Sequence, residues 1–296
     1  MRQARLIIDQ SQQNAANPYF STPSDSSVES IEHFSRAIER NRFIPTPPQD
    51  RNFVGDGDFL AIGCEFLRHF VNFGGLLPTE RVLEIGCGIG RMALPLTMYL
   101  DPPSETGASW GSYAGFDVVA DGIDWCNRMI SPVYPNFSFR HLDFYNSLYN
   151  PTSSMDLDDG ALPYDAASFD FVLMTSVVTH LDATDVAIYL RETARLLAPG
   201  GRLFLTAFLV NRSARDRIDK GLARPNFDLS ATGPAYIANP EHPLAAVAYD
   251  EAAFLEMARV AGLQLRQPIS HGHWSGSVSN NYQDICVFEL QPGVES

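Results

Sequence analysis

An α/β fold built on a doubly wound sheet is what this sequence predicts, and three observations predict it. Short β-rich apolar runs alternate with amphipathic helical stretches between about residues 81 and 207. The runs hold few charges, as strands do when helices cover both faces of a parallel sheet. In addition, 296 residues, 45% of them hydrophobic and 11% aromatic, suffice to bury one large core with appended segments.

Residues 1–52 are rich in Ser, Gln, Asn and Pro and are expected to form a mobile leader with one helix. That amphipathic stretch, 30–43, places Ile31, Phe34, Ile38 and Arg42 on one face and is expected to fold over the core. Residues 53–296 form the main domain. The spacing of Phe59, Ile62, Phe66, Phe70 and Phe73 is helical, with Asp56 or Asp58 as cap and Gly74, Gly75 and Pro78 as terminators. Strands are expected at 81–85, 113–116, 137–142, 169–175 and 202–207, with helices at about 91–100, about 121–131 and 184–197. Loops rich in Pro, Ser, Gly and Asp interrupt this pattern at 101–112 and 146–160.

The segment at about 209–249 carries Pro225, Phe227, Pro234, Tyr236 and Pro240 with little periodicity. It is too apolar for a linker and is expected to pack as an inserted lid or pocket wall. A last helix, 251–261, precedes two strand-like runs, 263–269 and 284–290, expected to pair antiparallel at the sheet edge. Between them lies a loop with His271, His273 and Trp274.

The net charge of −14 would repel a polyanion, and the densest basic stretch (Arg212, Arg215, Arg217, Lys220, Arg224) is broken by Asp216 and Asp219. No nucleic acid partner is therefore expected; the charge favours a small-molecule, saccharide or peptide ligand. Four widely spaced cysteines with no CxxC pair suggest neither zinc nor a disulfide framework and fit a reduced, cytoplasmic setting. The apolar run at the N-terminus is too short for a signal peptide and no stretch approaches a membrane span, so no membrane association is expected.

The densest signal is Val82-Leu83-Glu84-Ile85 running into Gly86-Cys87-Gly88-Ile89-Gly90 and a helix. Glycines there let the backbone approach a ligand, and the helix N-terminus offers free N–H groups. A dinucleotide fingerprint needs GxGxxG, which requires glycine at 91, and Arg91 stands there.

With Glu84 two residues ahead of the first glycine, the run is E/DxGxGxG, which resembles motif I of class I S-adenosylmethionine-dependent methyltransferases. The resemblance extends over roughly 54–290: a strand ending in Asp117, Leu142-Asp143 after the next strand, Leu162-Pro163-Tyr164 leading to Ser168-Phe169-Asp170, and Leu196 to Leu203 around Pro199-Gly200-Gly201. It implies a Rossmann-like seven-stranded sheet, mostly parallel with the last strand antiparallel and helices on both faces, and S-adenosylmethionine as cofactor. Gly86, Cys87, Gly88 and Gly90 would lie under the methionine part, Glu84 near its amino-acid end, and Asp117 with Val118 at the ribose, where one carboxylate accepts two hydroxyl hydrogen bonds. Asp143 and Phe144 would meet adenine. Arg91 reads equally as a partner of the cofactor carboxylate or as an exposed helix-start residue. Asp170 reads as structural.

Thr175 and Ser176 end a parallel strand, where open α/β sheets bind ligands. The following segment lacks the Asp/Asn-Pro-Pro-Tyr/Phe signature of nucleobase amino methyltransferases. His180 is a candidate general base for a hydroxyl acceptor, with a structural turn histidine as the plainer reading. His271, His273 and Trp274 form a second candidate group; their HxH spacing lacks a third ligand, so no metal is expected. The acceptor pocket is expected between the leader, residues 53–59 and the 209–249 segment, whose apolar character alternatively suits an oligomer interface such as a homodimer. A non-catalytic cofactor-binding sensor or partner subunit is the competing function.

Overall fold

The computed structural model describes residues 25–101, 110–157, 161–230 and 233–293. Residues 1–24 of the expected leader, 102–109 of the first loop and 158–160 of the second lie outside them.

The core begins with helix α1 (Asp25–Glu39) and helix α2 (Phe59–Asn72), followed by strand β1 (Arg81–Ile85), helix α3 (Ala93–Tyr99) and strand β2 (Ser112–Asp117). Helix α4 (Ala120–Met129), strands β3 (Phe137–His141) and β4 (Phe169–Met174), helix α5 (Ala183–Leu196) and strand β5 (Leu197–Ala207) continue the alternation. The chain ends with helix α7 (Glu251–Val260) and strands β9 (Leu263–Leu265) and β10 (Asp284–Leu290). Seven strands form one sheet in the order β3-β2-β1-β4-β5-β10-β9. β1 pairs in parallel with β2 on one side and β4 on the other, while β10 runs antiparallel to both β5 and β9. The expected doubly wound, mostly parallel sheet is therefore present, with one reversed strand.

Side-chain alternation explains the two layers. Val82, Phe171 and Phe204 face α2, α3 and α4, whereas Leu83, Val172 and Leu203 face α5 and α7. Because both faces are covered, neither set is polar, and β1 is buried from Val82 to Ile85 with Glu84 as its one charged buried residue. The helix α2 face inserts Phe70 edge-on to Phe204 at 5.0 Å and against Phe171 at 6.3 Å. Its start is fixed by Asp58, whose carboxylate accepts from Ala61 N–H at 2.8 Å.

Several boundaries differ from the sequence reading for local reasons. The leader helix spans Asp25–Glu39 instead of 30–43 because the Asn41 side chain accepts the Phe43 N–H in a turn, which leaves Arg42 outside the helix and Phe43 exposed. Its apolar face still packs on the core through Ile31 and Ile38, and Arg68 of α2 bonds Glu39 and Ser35. β9 stops at Leu265, well short of 269, where Pro268 supplies no ladder donor. β5 begins five residues earlier than expected, at Leu197, because the Pro199-Gly200-Gly201 bend is carried inside the strand with a register shift opposite Phe169 and Phe171.

The described residues of 209–249 form a small unit. Strand β6 (Leu209–Val210), helix α6 (Arg212–Asp219), strand β7 (Ala235–Ile237) and strand β8 (Val247–Asp250) give a second sheet in the order β6-β8-β7. Phe208, Phe227 and Trp274 pack mutually at 5.2–5.6 Å beneath it. Its periodicity was invisible because each element is only two to eight residues long.

At the end of the sheet opposite the glycine turn, Arg202 donates to Glu80 at 2.7 Å through each of two nitrogens, to Gly74 O at 2.8 Å and Gly75 O at 2.6 Å, and lies over the Phe171 ring. Both partners are nearly buried, with side-chain exposures of 8% and 13%. Arg202→Met leaves Glu80 without its cation, and urea denaturation is expected to show a loss of ~3–5 kcal/mol. A loss below ~1 kcal/mol would mean that the pair behaves as a surface bridge.

Candidate functional site

The chain leaves β1 toward β2 and β3, then returns to β4 on the other side of β1, so a crevice opens beyond the carboxyl ends of β1 and β4. A cavity of about 350 Å³ occupies that crevice. The turn after β1 is pinned there because Gly86 N–H and Cys87 N–H both donate to Phe116 O at 2.9 Å. Gly86, Gly88 and Gly90 have φ of 72°, 54° and 82°, which favours residues without a Cβ.

The three glycines do different work. A Cβ on Gly86 would meet Val177 at 2.5 Å, and one on Gly88 would meet Val54 at 2.5 Å; both positions line the cavity. Gly90 faces α4, where a Cβ would meet Cys126 Sγ at 2.9 Å, and it does not line the cavity. Its expected contact with a ligand is replaced by helix packing. Gly122 of α4, which the sequence reading passed over, lets that helix approach Gly88 O, where a Cβ would come within 2.6 Å. Cys87 lines the cavity with its thiol packed against Gly115, and burial pushes that thiol well above its usual pKa.

Acidic groups dominate the lining. Glu84 is buried, accepts a hydrogen bond from Tyr113 Oη, and has its pKa pushed up to about 8, first by burial and then by the nearby charge of Asp117. Asp117, also buried, accepts from Gly88 N–H at 2.7 Å and Val119 N–H at 2.8 Å, which fixes it at the end of β2. Burial raises its pKa against those bonds. Asp185, which the sequence reading missed, lines the same cavity with a pKa raised to about 6 by burial and by Asp182 and Asp156. Arg91 is the arginine among these acids. Its Nε is buried with no hydrogen-bond partner, and burial depresses its pKa.

Val118, Phe144 and Thr175 also line the cavity. Asp143 does not: it is exposed, and its carboxylate accepts from Asn150 Nδ2 at 2.8 Å because the 146–157 loop folds back on it through the Phe144–Met155 bridge. That loop instead supplies Asn146 and Tyr149 to the cavity. Ser176 holds φ of 57°, a left-handed conformation rare for serine; its N–H donates to Thr206 Oγ1 and its Oγ to Gln283 Oε1.

His180 lines the cavity beyond Ser176. Its Nδ1 lies 2.9 Å from Leu244 O, so the neutral ring donates there and leaves Nε2 as an acceptor. Burial lowers its pKa, and Tyr149 meets the ring edge-on at 5.6 Å. His271 and His273 lie elsewhere, which corrects the expectation of a second catalytic group. His271 sits 3.5 Å from Asp284 and 3.6 Å from Glu251, and its pKa is raised by Asp284. His273 is exposed against Tyr282. Asp284 governs this loop, accepting from Leu209 N–H, Gly272 N–H and Trp274 Nε1 at 2.7–2.8 Å, and Trp274 is core.

The expected walls are only partly those observed. Phe53, Val54 and Gly55 line the cavity, the described leader residues before them do not, and the 209–249 segment borders a neighbouring cavity. Among the described residues no three His, Cys, Asp or Glu side chains gather as a metal site, and no helix is long and apolar enough to cross a membrane.

Comparison with known proteins agrees with this geometry. A model of a methyltransferase domain matches residues 58–267. An arsenite methyltransferase of Aquipseudomonas alcaligenes is 31% identical over 143 residues, 48% of this chain and 37% of that protein. A fatty-acid O-methyltransferase of Mycolicibacterium smegmatis is 31% identical over 140 residues, 47% of this chain and 39% of that protein. The chain thus spans about two fifths of the length of these relatives. An S-adenosylmethionine-dependent methyltransferase from Leishmania major shares the fold at 12% identity and a TM-score of 0.51, covering 88% of this chain and 82% of that one. The family match spans most of the chain and takes in the whole glycine turn with its acids: the chain belongs to the class I S-adenosylmethionine-dependent methyltransferase family.

Proposed function

We propose that this protein transfers a methyl group from S-adenosylmethionine to an oxygen or nitrogen of a small molecule. The observation that carries the proposal is the cavity at the carboxyl ends of β1 and β4, whose lining includes Glu84, Asp117, Asp185 and one half-buried arginine, Arg91, with an unused Nε. The residues fit that cofactor. Acids suit a ligand bearing a sulfonium and an ammonium group, Arg91 suits its carboxylate, and the bare backbone at Gly86 and Gly88 admits its close approach. Asp117 has lone pairs left after its two backbone bonds for ribose hydroxyls, and Val118 with Phe144 offers apolar surface for the base.

Bound S-adenosylmethionine supplies an electrophilic methyl group, so the protein's part is alignment and, for a hydroxyl, removal of a proton. His180 supports the latter, since its Nε2 is an acceptor and its lowered pKa keeps it neutral near pH 7. The enclosed dimensions favour a small acceptor over a polymer, and the fatty-acid O-methyltransferase relative supports oxygen as the atom modified. Four buried, unpaired cysteines support a reducing, cytoplasmic setting.

Isothermal titration is expected to give binding heat with S-adenosylmethionine and none with NAD; the opposite pattern would sink the proposal. Asp117→Ala and Arg91→Met are each expected to weaken cofactor binding ~10-fold or more, and an unchanged affinity for either variant would remove that residue from the site.

Glu84 gives a proton-linked test. Its folded pKa lies above the ordinary 4.5, so its contribution to the free protein's stability is fully present below 4.5 and is lost as pH rises through about 8. A cation brought into the cavity lowers that pKa. Titrations at pH 7 in buffers of differing ionisation heat are expected to show proton release on cofactor binding, and Glu84→Gln is expected to abolish it. Buffer-independent heats for the native protein would contradict this assignment.

His180→Asn retains a donor toward Leu244 O but removes the base. The methylation rate on a hydroxyl acceptor is expected to fall ~10²-fold or more. The acid limb of the native rate profile, lying below pH 6.5, is expected to vanish with it. A variant at full rate would make His180 structural.

A further inference from the structure

A second cavity of about 370 Å³ opens beside the first and shares His180 and Gln283 with it. The two differ in charge. The first is lined by Glu84, Asp117 and Asp185, whereas among the described residues the second is lined by no carboxylate and by one arginine, Arg224. Its lining is mixed: Phe208, Pro225, Ala245, Ala246 and Tyr282 give an apolar side, with the Phe208 and Tyr282 rings edge-to-face at 5.8 Å, and Thr179, His180, Arg224 and Gln283 a polar one.

Arg224 is held in place through its backbone. Its N–H donates to Trp274 O at 2.7 Å, and its carbonyl accepts from Tyr282 Oη at 2.8 Å. Of its guanidinium, Nη1 donates to Gly221 O and Ala223 O. Nε and Nη2 have no hydrogen-bond partner among the described residues, and no carboxylate there lies within ion-pair distance. Arg224 is exposed at the rim of this cavity, and in a chain of net charge −14 its two donors without a partner among the described residues suit an anion.

The boundary between the cavities is polar in a defined sense. Thr206 Oγ1 accepts the Ser176 N–H and donates to Gln283 Oε1, which also accepts from Ser176 Oγ. With Oε1 used twice, the Gln283 amide has its Nε2 donors left over, as His180 has its Nε2 acceptor, and both residues line both cavities. Such a donor and acceptor match a hydroxyl group.

We propose that the second cavity is the acceptor chamber and that it takes a small hydroxy acid: an apolar or aromatic body between Phe208, Pro225 and Tyr282, its carboxylate on Arg224, and its hydroxyl at the His180–Gln283 opening. This rests on the methyltransferase reading above. In the reaction the hydroxyl oxygen forms the new C–O bond as the methyl–sulfur bond breaks, the bonding pair stays on sulfur, and the hydroxyl proton passes to His180 Nε2.

The test uses the full chain loaded with S-adenosylhomocysteine and three probes, 3-hydroxybenzoate, 4-hydroxybenzoate and 8-hydroxyoctanoate, each compared with its neutral primary amide by calorimetry. At least one carboxylate is expected to bind about tenfold or more tightly than its amide, and Arg224→Gln is expected to erase that difference with S-adenosylhomocysteine affinity unchanged. The proposal is overturned if no carboxylate binds, if the amides bind equally well, or if the preference survives in Arg224→Gln. Failure of S-adenosylhomocysteine itself to bind would instead overturn the methyltransferase reading, and this chamber with it.

Discussion

Two amide groups, those of Gly86 and Cys87, share the carbonyl of Phe116, and the arrangement of the whole site follows from that bifurcated anchor. It ties the turn after β1 to the end of β2, so the glycine loop cannot drift from the strand that carries Asp117. Asp117 returns the constraint by accepting from Gly88 N–H. The loop and the acid thus fix one another, and glycines are needed because two of the three residues that make these contacts, Gly86 and Gly88, hold positive φ. Parallel pairing of β1 with β2 and β4 then places Thr175 and Ser176 across the crevice.

Burial of carboxylates in this crevice is energetically unfavourable for the free protein. Glu84 is held mostly protonated near neutrality, and Asp117 and Asp185 are shifted upward as well. The same desolvation leaves Arg91 Nε unpaired. Such groups are tolerated where a ligand completes their partners, and the Ser176 backbone strain sits at the same place.

The sheet was legible wherever a single physical pattern governed a stretch of chain. β1 and β10 were placed to the residue because both faces are buried and the ends are marked, by Arg81 and the glycine turn for β1 and by Asp284 and Gln291 for β10. The glycine turn, Glu84 and Asp117 were legible because one local motif carries them. What escaped depends on contacts distant in sequence. Asp143 was misplaced since the loop that turns it outward bonds through Asn150 and Ser153, which no spacing rule reveals. His271 looked catalytic until Asp284 showed it to be part of a buried hub. Gln283 sits 107 residues from Ser176 and 77 from Thr206, so neither could point to it. The leader helix slid by several residues because a single Asn41 turn outweighed a hydrophobic face that Arg42 only nominally extended.

The pairing of β6 with β8 brings the two ends of the 209–249 segment together. Leu209 lies opposite Tyr249 and Val210 opposite Asp250, in parallel, so the chain leaves β5 and reaches α7 at neighbouring points. A segment whose two ends already touch imposes little further entropic demand as it lengthens or shortens. Residues added to or removed from the stretch between them therefore reshape the rim of the second cavity, lined there by Arg224, Pro225, Ala245 and Ala246, at little cost in closure entropy.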